Sequence, residues 1–264
     1  MSTSMFTALA AALNSSEIEQ KLALTAALET DWQSGKLDWQ DTTPVELNCG
    51  HPSKPELVAP QLVPHRGVKT PEGRAHLLHA IVHIEFSAIN LALDHAARFR
   101  GMPKQYYTDW IGVAAEEAYH FKILRQRLQT LGYDYGDFPA HAGLWDMAER
   151  TTDDVLARMA LVPRLLEARG LDATPPIQKK LIQSGDHETA ALLDIILQDE
   201  IGHVGLGDTW FRQLCEAQSL EPESTFRRLL NDFNAPRPQS PMNESARLAA
   251  GFTKRELASL LKIE

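Results

Sequence analysis

Apolar residues recur at helical spacing through most of this 264-residue chain, and almost nothing in it alternates with the two-residue period of a strand. Residues 5–36 read as one or two amphipathic helices, with Ser15-Ser16-Glu17 as a start signal. From Asp41 to Lys69, prolines at 44, 52, 55, 60 and 64 forbid a long helix and imply an extended arm crossing the surface. Thr70 as N-cap and Pro71 as first helical residue then open a long helix to about Arg100, ended by Gly101 and Pro103. A second fits Lys104 to Leu131, stopped by Gly132, and an irregular stretch follows to about Ala142. A third is expected from Thr151-Thr152 to Gly170, with Pro163 inside it forcing a kink or a local opening. Pro175 and Pro176 start a short helix, and Asp186 or His187 begins the fourth long one, which reaches about Ala217. Residues 224–233 and 243–262 read as terminal helices, the last with a Thr253/Glu256 capping box. The fold class is all-α. We expect a four-helix bundle over 70–217, with N-terminal helices and the proline-rich arm (1–69) and a C-terminal helical extension (218–264) packed around it.

Helical phase exposes an anomaly on each long helix. On the first, Leu78, Ile81, Val82, Ala88, Ile89, Ala92, Ala96 and Phe99 share a face, and Glu85 lies at its centre. His76, His83, Ser87, Asn90, Asp94 and Arg98 lie opposite. On the second, Tyr106, Trp110, Val113, Ala114, Phe121, Leu124 and Leu128 surround Glu117 and His120. The fourth sets Glu200 and His203 among Leu193, Ile196, Leu197, Val204, Phe211 and Leu214. The third continues its Leu156, Ala160, Pro163 stripe with Glu167, although Arg164 offers Glu167 an alternative ion pair. A carboxylate in the middle of a buried face is costly unless paired, protonated or bound to metal.

Four helices thus supply Glu, Glu-x-x-His, Glu and Glu-x-x-His, the ligand set of carboxylate-bridged two-metal bundles. The i, i+3 spacing puts each Glu and His on one helical face. Glu85 precedes Glu117 by 32 residues and Glu167 precedes Glu200 by 33, which implies two similar helix pairs facing each other across the site. In that arrangement Glu117 and Glu200 bridge the metals, while Glu85 and Glu167 cap one metal each. Asp199 and Glu116, just before the two motif glutamates, are candidates to accept the N–H of His120 and His203 respectively. Carboxylates and imidazoles suit iron, or manganese, or a mixed manganese–iron pair.

Other residues compete for attention. His76, His79 and His83 are spaced i, i+3, i+7, which fits a second metal stripe or, alternatively, contacts with the N-terminal helices or solvent. Gly202, Gly205 and Gly207 lie inside a helix with no strand before them, so they serve close helix approach or a local distortion, and no nucleotide loop. Tyr106 and Trp110 read as core or as pocket lining, and Arg227 and Arg228 as solvated.

The net charge of −9 argues against non-specific binding to nucleic acid or anionic lipid. Cys49 and Cys215, the only cysteines, have no metal or disulfide spacing and suit a reducing compartment. The apolar start lacks a basic leader region, and no run of apolar residues approaches a membrane span, so a soluble, cytoplasmic protein is expected.

The motifs His83-Ile84-Glu85, Glu116-Glu117-Ala118-Tyr119-His120, Leu166-Glu167-Ala168-Arg169-Gly170 and Asp199-Glu200-Ile201-Gly202-His203 resemble the ferritin-like superfamily of di-iron carboxylate proteins. The chain looks most like a bacterial ferritin-like family of unknown function, of the DUF455 type. The Leu-Glu-Ala-Arg-Gly segment is also similar to the tRNA hydroxylases of that superfamily. The resemblance implies a ferritin-like bundle and a di-iron, oxygen-dependent oxidase or hydroxylase served by an unknown electron donor. It leaves open iron handling, peroxide reduction and a non-enzymatic metal-bound scaffold. Leu124 stands where radical-generating ribonucleotide reductase subunits carry a tyrosine, so the likeness does not extend to a tyrosyl-radical role. A small-molecule substrate fits the acidic balance better than a tRNA, and a homodimer is compatible with it.

Overall fold

A computed structural model describes residues 3–63 and 67–260; Pro64, counted above among the arm prolines, and residues 261–262 of the expected last helix lie outside them. The protein is all-α. Its only strand pairing among the described residues joins β1 (Thr3–Ser4) to β2 (Leu37–Asp38) in parallel, apart from an isolated Leu57–Ala140 bridge. The chain forms two compact units, residues 1–143 and 144–264.

In the first unit, α1 (Met5–Asn14) packs on α3 (Pro71–Arg98), and α2 (Ile18–Gln33) packs on α4 (Lys104–Thr130). The start of α3 follows the sequence signal: the Thr70 hydroxyl accepts from Gly73 N at 3.0 Å, with Pro71 at the first helical position. The end of α1 is closed from elsewhere in the chain. Lys21, fully buried, donates to the carbonyls of Ala12 and Leu13, and Gly50 N donates to Leu13 O. A Cβ on Gly50 would meet Ser15 O at 2.3 Å, so the arm comes this close only through glycine. Asn14 stitches the arm further, donating to Glu46 O and accepting from Asn48 N. Apart from a 3-10 turn at Pro60–Leu62, the described arm holds no helix.

Two expectations for α3 change. Its polar side is not solvated: Asn90 and Asp94 are fully buried, as is His95. The helix is also long and apolar enough to cross a membrane, contrary to the expectation that no segment would be, but 67% of its most apolar stretch is buried inside the protein. Polar groups such as Glu85, Asn90 and Asp94 sit in that helix at 3% exposure or less, which marks a protein-core helix.

The second unit is built around α6 (Val155–Leu161), a π-turn at Val162–Glu167, α7 (Ala168–Gln183) and α8 (His187–Ala217), preceded by α5 (Gly143–Arg150). Pro163 opens the third helix as expected, and the form taken is the π-turn. Thr151 ends α5, an element the sequence pattern did not signal; its hydroxyl donates to Met147 O, and Asp154 caps α6. The helix does not stop at Gly170, and Pro175 and Pro176 lie inside α7, not at the start of a separate helix. The reason is tertiary. Pro175 has no N–H for Leu171 O, and Asn243 Nδ2 donates to that carbonyl instead, at 3.1 Å. Arg247 donates to Ala168 O and pairs with Asp172 at 2.6 Å. These donors precede or lie within α10 (Glu244–Ala249); α9 (Pro222–Asp232) and α11 (Lys254–Leu260) complete the C-terminal segment. The expected 243–262 helix is therefore two helices, broken at Gly251, where φ is +99°. The capping box is present: Glu256 N donates to the Thr253 hydroxyl, and Thr253 N to Glu256 Oε2.

Candidate metal centre

Helices α3 and α4 form an antiparallel hairpin whose register is fixed by Tyr106 donating to His95 O and by Phe86 against Phe121, ring centroids 5.4 Å apart. That register brings Glu85, Glu117 and His120 together. His120 Nδ1 lies 3.4 Å from Glu85 Oε2 and 3.4 Å from Glu117 Oε2. All three side chains are buried, in a wall of Val82, Ile89, Val113, Ala114, Phe121 and Leu124. These three residues belong to a buried Glu/His cluster that could hold a metal ion. Burial lowers the pKa of His120, but hydrogen bonds and charge from Glu117 and Glu85 outweigh it and raise the value to about 11. Two carboxylates of like charge beside one imidazole demand a cation, and a proton on His120 meets that demand in part. A divalent metal would meet it more fully, and carboxylate and imidazole are donors suited to one.

In the second unit, α7 and α8 form another antiparallel hairpin. Gln178 donates to Ala190 O near its turn, and Pro163 packs on Gly207 farther along. His203 is buried, and its Nδ1 lies 3.7 Å from Glu200 Oε1. Each hairpin therefore turns the Nδ1 of its histidine toward the glutamate three residues before it. Glu167 and Glu200 are half-buried, less enclosed than Glu85 and Glu117.

The remaining candidates divide cleanly. Arg164, weighed above as a partner of Glu167, instead binds Asp208 and Glu256, each at 2.6 Å. Gly207 serves close approach, since a Cβ there would meet Pro163 at 2.7 Å, whereas Gly202 faces open space. The three histidines anchor the irregular stretch that follows α4, not the N-terminal helices or solvent. His83 contacts Tyr135 Oη and His141 O, His79 Nε2 accepts from Gly136 N, and His76 stacks on Phe138. Burial, reinforced by neighbouring histidines, lowers His79 to about 4; for His83 burial dominates, with the same result. Both stay neutral and can accept. Tyr106 and Trp110 are core residues, and Trp110 sets its edge against His95 with centroids 4.6 Å apart. Arg227 and Arg228 are exposed and form i, i+4 pairs with Glu223 and Asp232. Cys49 is half-buried and Cys215 buried, and neither is in a disulfide. Asp199 is half-buried and Glu116 exposed. Lys21 and the Arg164–Glu256 pair escaped the sequence reading: Lys21 donates back across a helix break to carbonyls eight and nine residues earlier, and Glu256 lies 92 residues from Arg164.

These features define an all-α protein with a buried carboxylate–imidazole cluster suited to a metal ion. The chain belongs to the family described as "Protein of unknown function (DUF455)", whose model matches residues 14–258. It is 47% identical over 234 residues to an uncharacterized protein of Haemophilus influenzae, covering 86% of this chain and 81% of that one. No solved structure matches it.

Proposed function

We propose that the chain is a two-metal carboxylate protein of ferritin-like bundle architecture, in which Glu85, Glu117, His120, Glu167, Glu200 and His203 are the ligands. The single observation that carries this reading is the meeting of Glu85, Glu117 and His120 within one buried apolar hairpin. Its support is the recurrence of the pattern, Glu followed by Glu-x-x-His, in the second hairpin. A structural ion pair needs one carboxylate for one imidazole; the first hairpin invests two. Iron is the favoured metal, with manganese or a mixed pair as the alternatives that carboxylate and imidazole donors also suit.

Bound in this set, the metals would supply the electrons for an oxygen-dependent oxidation or hydroxylation of a small molecule, replenished by a donor protein. The chain's own contribution would be to offer Glu117 and Glu200 to both metals and Glu85 and Glu167 to one metal each. With Nδ1 turned to the carboxylates, the Nε2–H of His120 and His203 is left to donate, and Asp199 and Glu116 are the proposed acceptors. The apolar wall around Glu117 keeps water from the donors. A cytoplasmic setting suits two cysteines that form no disulfide.

Elemental mass spectrometry tests the reading. Protein produced with iron and manganese supplied should carry about two metals per chain, and Glu117→Ala and Glu200→Ala should lose both. A folded wild type without stoichiometric metal would leave the six residues as a buried polar network and end the enzyme reading with it.

A further inference from the structure

The second unit contains a buried charge cluster that the proposed ligands do not use. Arg164 is fully buried, donating from Nε to Asp208 Oδ1 and from Nη2 to Glu256 Oε1, both at 2.6 Å. The rings of Phe226 and Phe252 stand 4.2 and 4.4 Å from its guanidinium carbon. Arg212 binds the same two carboxylates, Asp208 at 2.7 Å and Glu256 at 2.8 Å, from a more exposed position. Two cations therefore share two anions, drawn from the π-turn, α8 and α11.

What is unusual is where Arg164 sits: three residues before Glu167, within the same π-turn. In an ordinary α-helix, residues three apart are neighbours, and this arginine would neutralise that glutamate. The wider π-turn separates them by roughly 115° about the axis, against roughly 60° in an α-helix. Pro163 fixes the turn against Gly207, and Asp208, the next residue of α8, takes the guanidinium on the far side. Glu256 then completes the shell from the C-terminal segment.

We infer that Asp208 and Glu256 are positioning residues whose role is to hold the Arg164 cation off Glu167, which keeps that carboxylate available to metal. The C-terminal helix α11 is on this account part of the metal centre's machinery, though it contributes no ligand. The inference rests on Glu167 being a ligand, as proposed above.

The test uses the full chain. In Asp208→Asn/Glu256→Gln, Arg164 loses both anions and turns to Glu167. Metal content per folded chain should fall from about two toward about one, the lost ion being the one Glu167 caps. Adding Arg164→Gln should restore it, because the competing cation is gone. A merely structural cluster predicts the reverse, with each further substitution making matters worse. Glutamine at 256 preserves the capping box, so the single Glu256→Gln chain serves if the double variant does not fold. It should bind manganese several-fold more weakly in competition with a chelator, again restored by Arg164→Gln. Unchanged metal binding in the variants, or no restoration, or unfolding of Glu256→Gln itself, overturns the inference while leaving the metal centre standing. A wild type with no metal overturns the metal centre first.

Discussion

In the α3–α4 hairpin, Glu85 and His120 meet across two uninterrupted helices, whereas Glu167 stands at the end of a π-turn and a proline defines its surroundings. The first hairpin buries its carboxylates almost completely and relies on apolar walls. The second leaves Glu167 and Glu200 half-buried and carries a buried ion cluster on Arg164, three residues before Glu167. The same ligand pattern thus rests on two kinds of support. Apolar burial makes a carboxylate demand a cation, and in the first hairpin a metal ion or the protonated His120 would supply it. A buried arginine close to a ligand threatens to supply that cation, so its charge must be occupied elsewhere. The cost of the first design falls on the metal-free protein, which must bury like charges; the cost of the second is a distorted helix.

The largest effect expected from this difference is on metal. Glu85→Ala and Glu167→Ala should each leave about one ion per chain if the two hairpins are equivalent ligand halves; loss of both ions from either variant, read by elemental analysis, would break the equivalence. Next comes stability without metal. Glu117→Leu should raise the stability of the metal-free protein by roughly 1–3 kcal/mol, because a buried carboxylate is replaced by an apolar group of similar volume. Glu200→Leu should give less, since Glu200 retains 14% side-chain exposure. Thermal melts of the chelated proteins would show equal shifts if enclosure were irrelevant.

Glycine substitutions sharpen the comparison further. Gly207→Ala should destabilise by about 1–3 kcal/mol by driving a methyl into Pro163. Gly112→Ala, in the uninterrupted α4 and facing open space, should be neutral or stabilising by up to about 1 kcal/mol. Denaturant midpoints decide both.

Acid should act first on the first unit. His79 titrates near 4 in the folded chain against an ordinary 6.5, so the unfolded chain binds more protons between those values. Its contribution is whole above pH 6.5 and is lost as pH falls toward 4, on the order of 3 kcal/mol. Protonation also turns the Nε2 acceptor of Gly136 N–H into a donor, so amide exchange at Gly136 should accelerate below pH 5. Exchange that stays flat to pH 4 would show that the loop does not depend on that neutral imidazole. Thr253→Ala should cost about 1 kcal/mol through the lost cap, read by thermal melts.

Much of this molecule can be read from its order of residues, because the relevant physics is local. The ends of α3 and α8 follow from Thr70-Pro71 and Asp186, whose side chains cap their own helices within three residues. The arm follows from prolines that cannot donate. The membership of Glu85, Glu117 and His120 in one cluster follows from helical phase, since a carboxylate at the centre of an apolar face has few affordable states. Tertiary structure decided the rest, wherever one group's partner lies far along the chain. A proline pair continues through α7 because Asn243 supplies a donor from 72 residues away. Asn90 and Asp94, on the polar side of α3, are buried, and periodicity cannot tell water from other packed protein. Arg164 spares Glu167 because a π-turn and a carboxylate 92 residues distant draw it off, and no local rule connects position 164 to position 256.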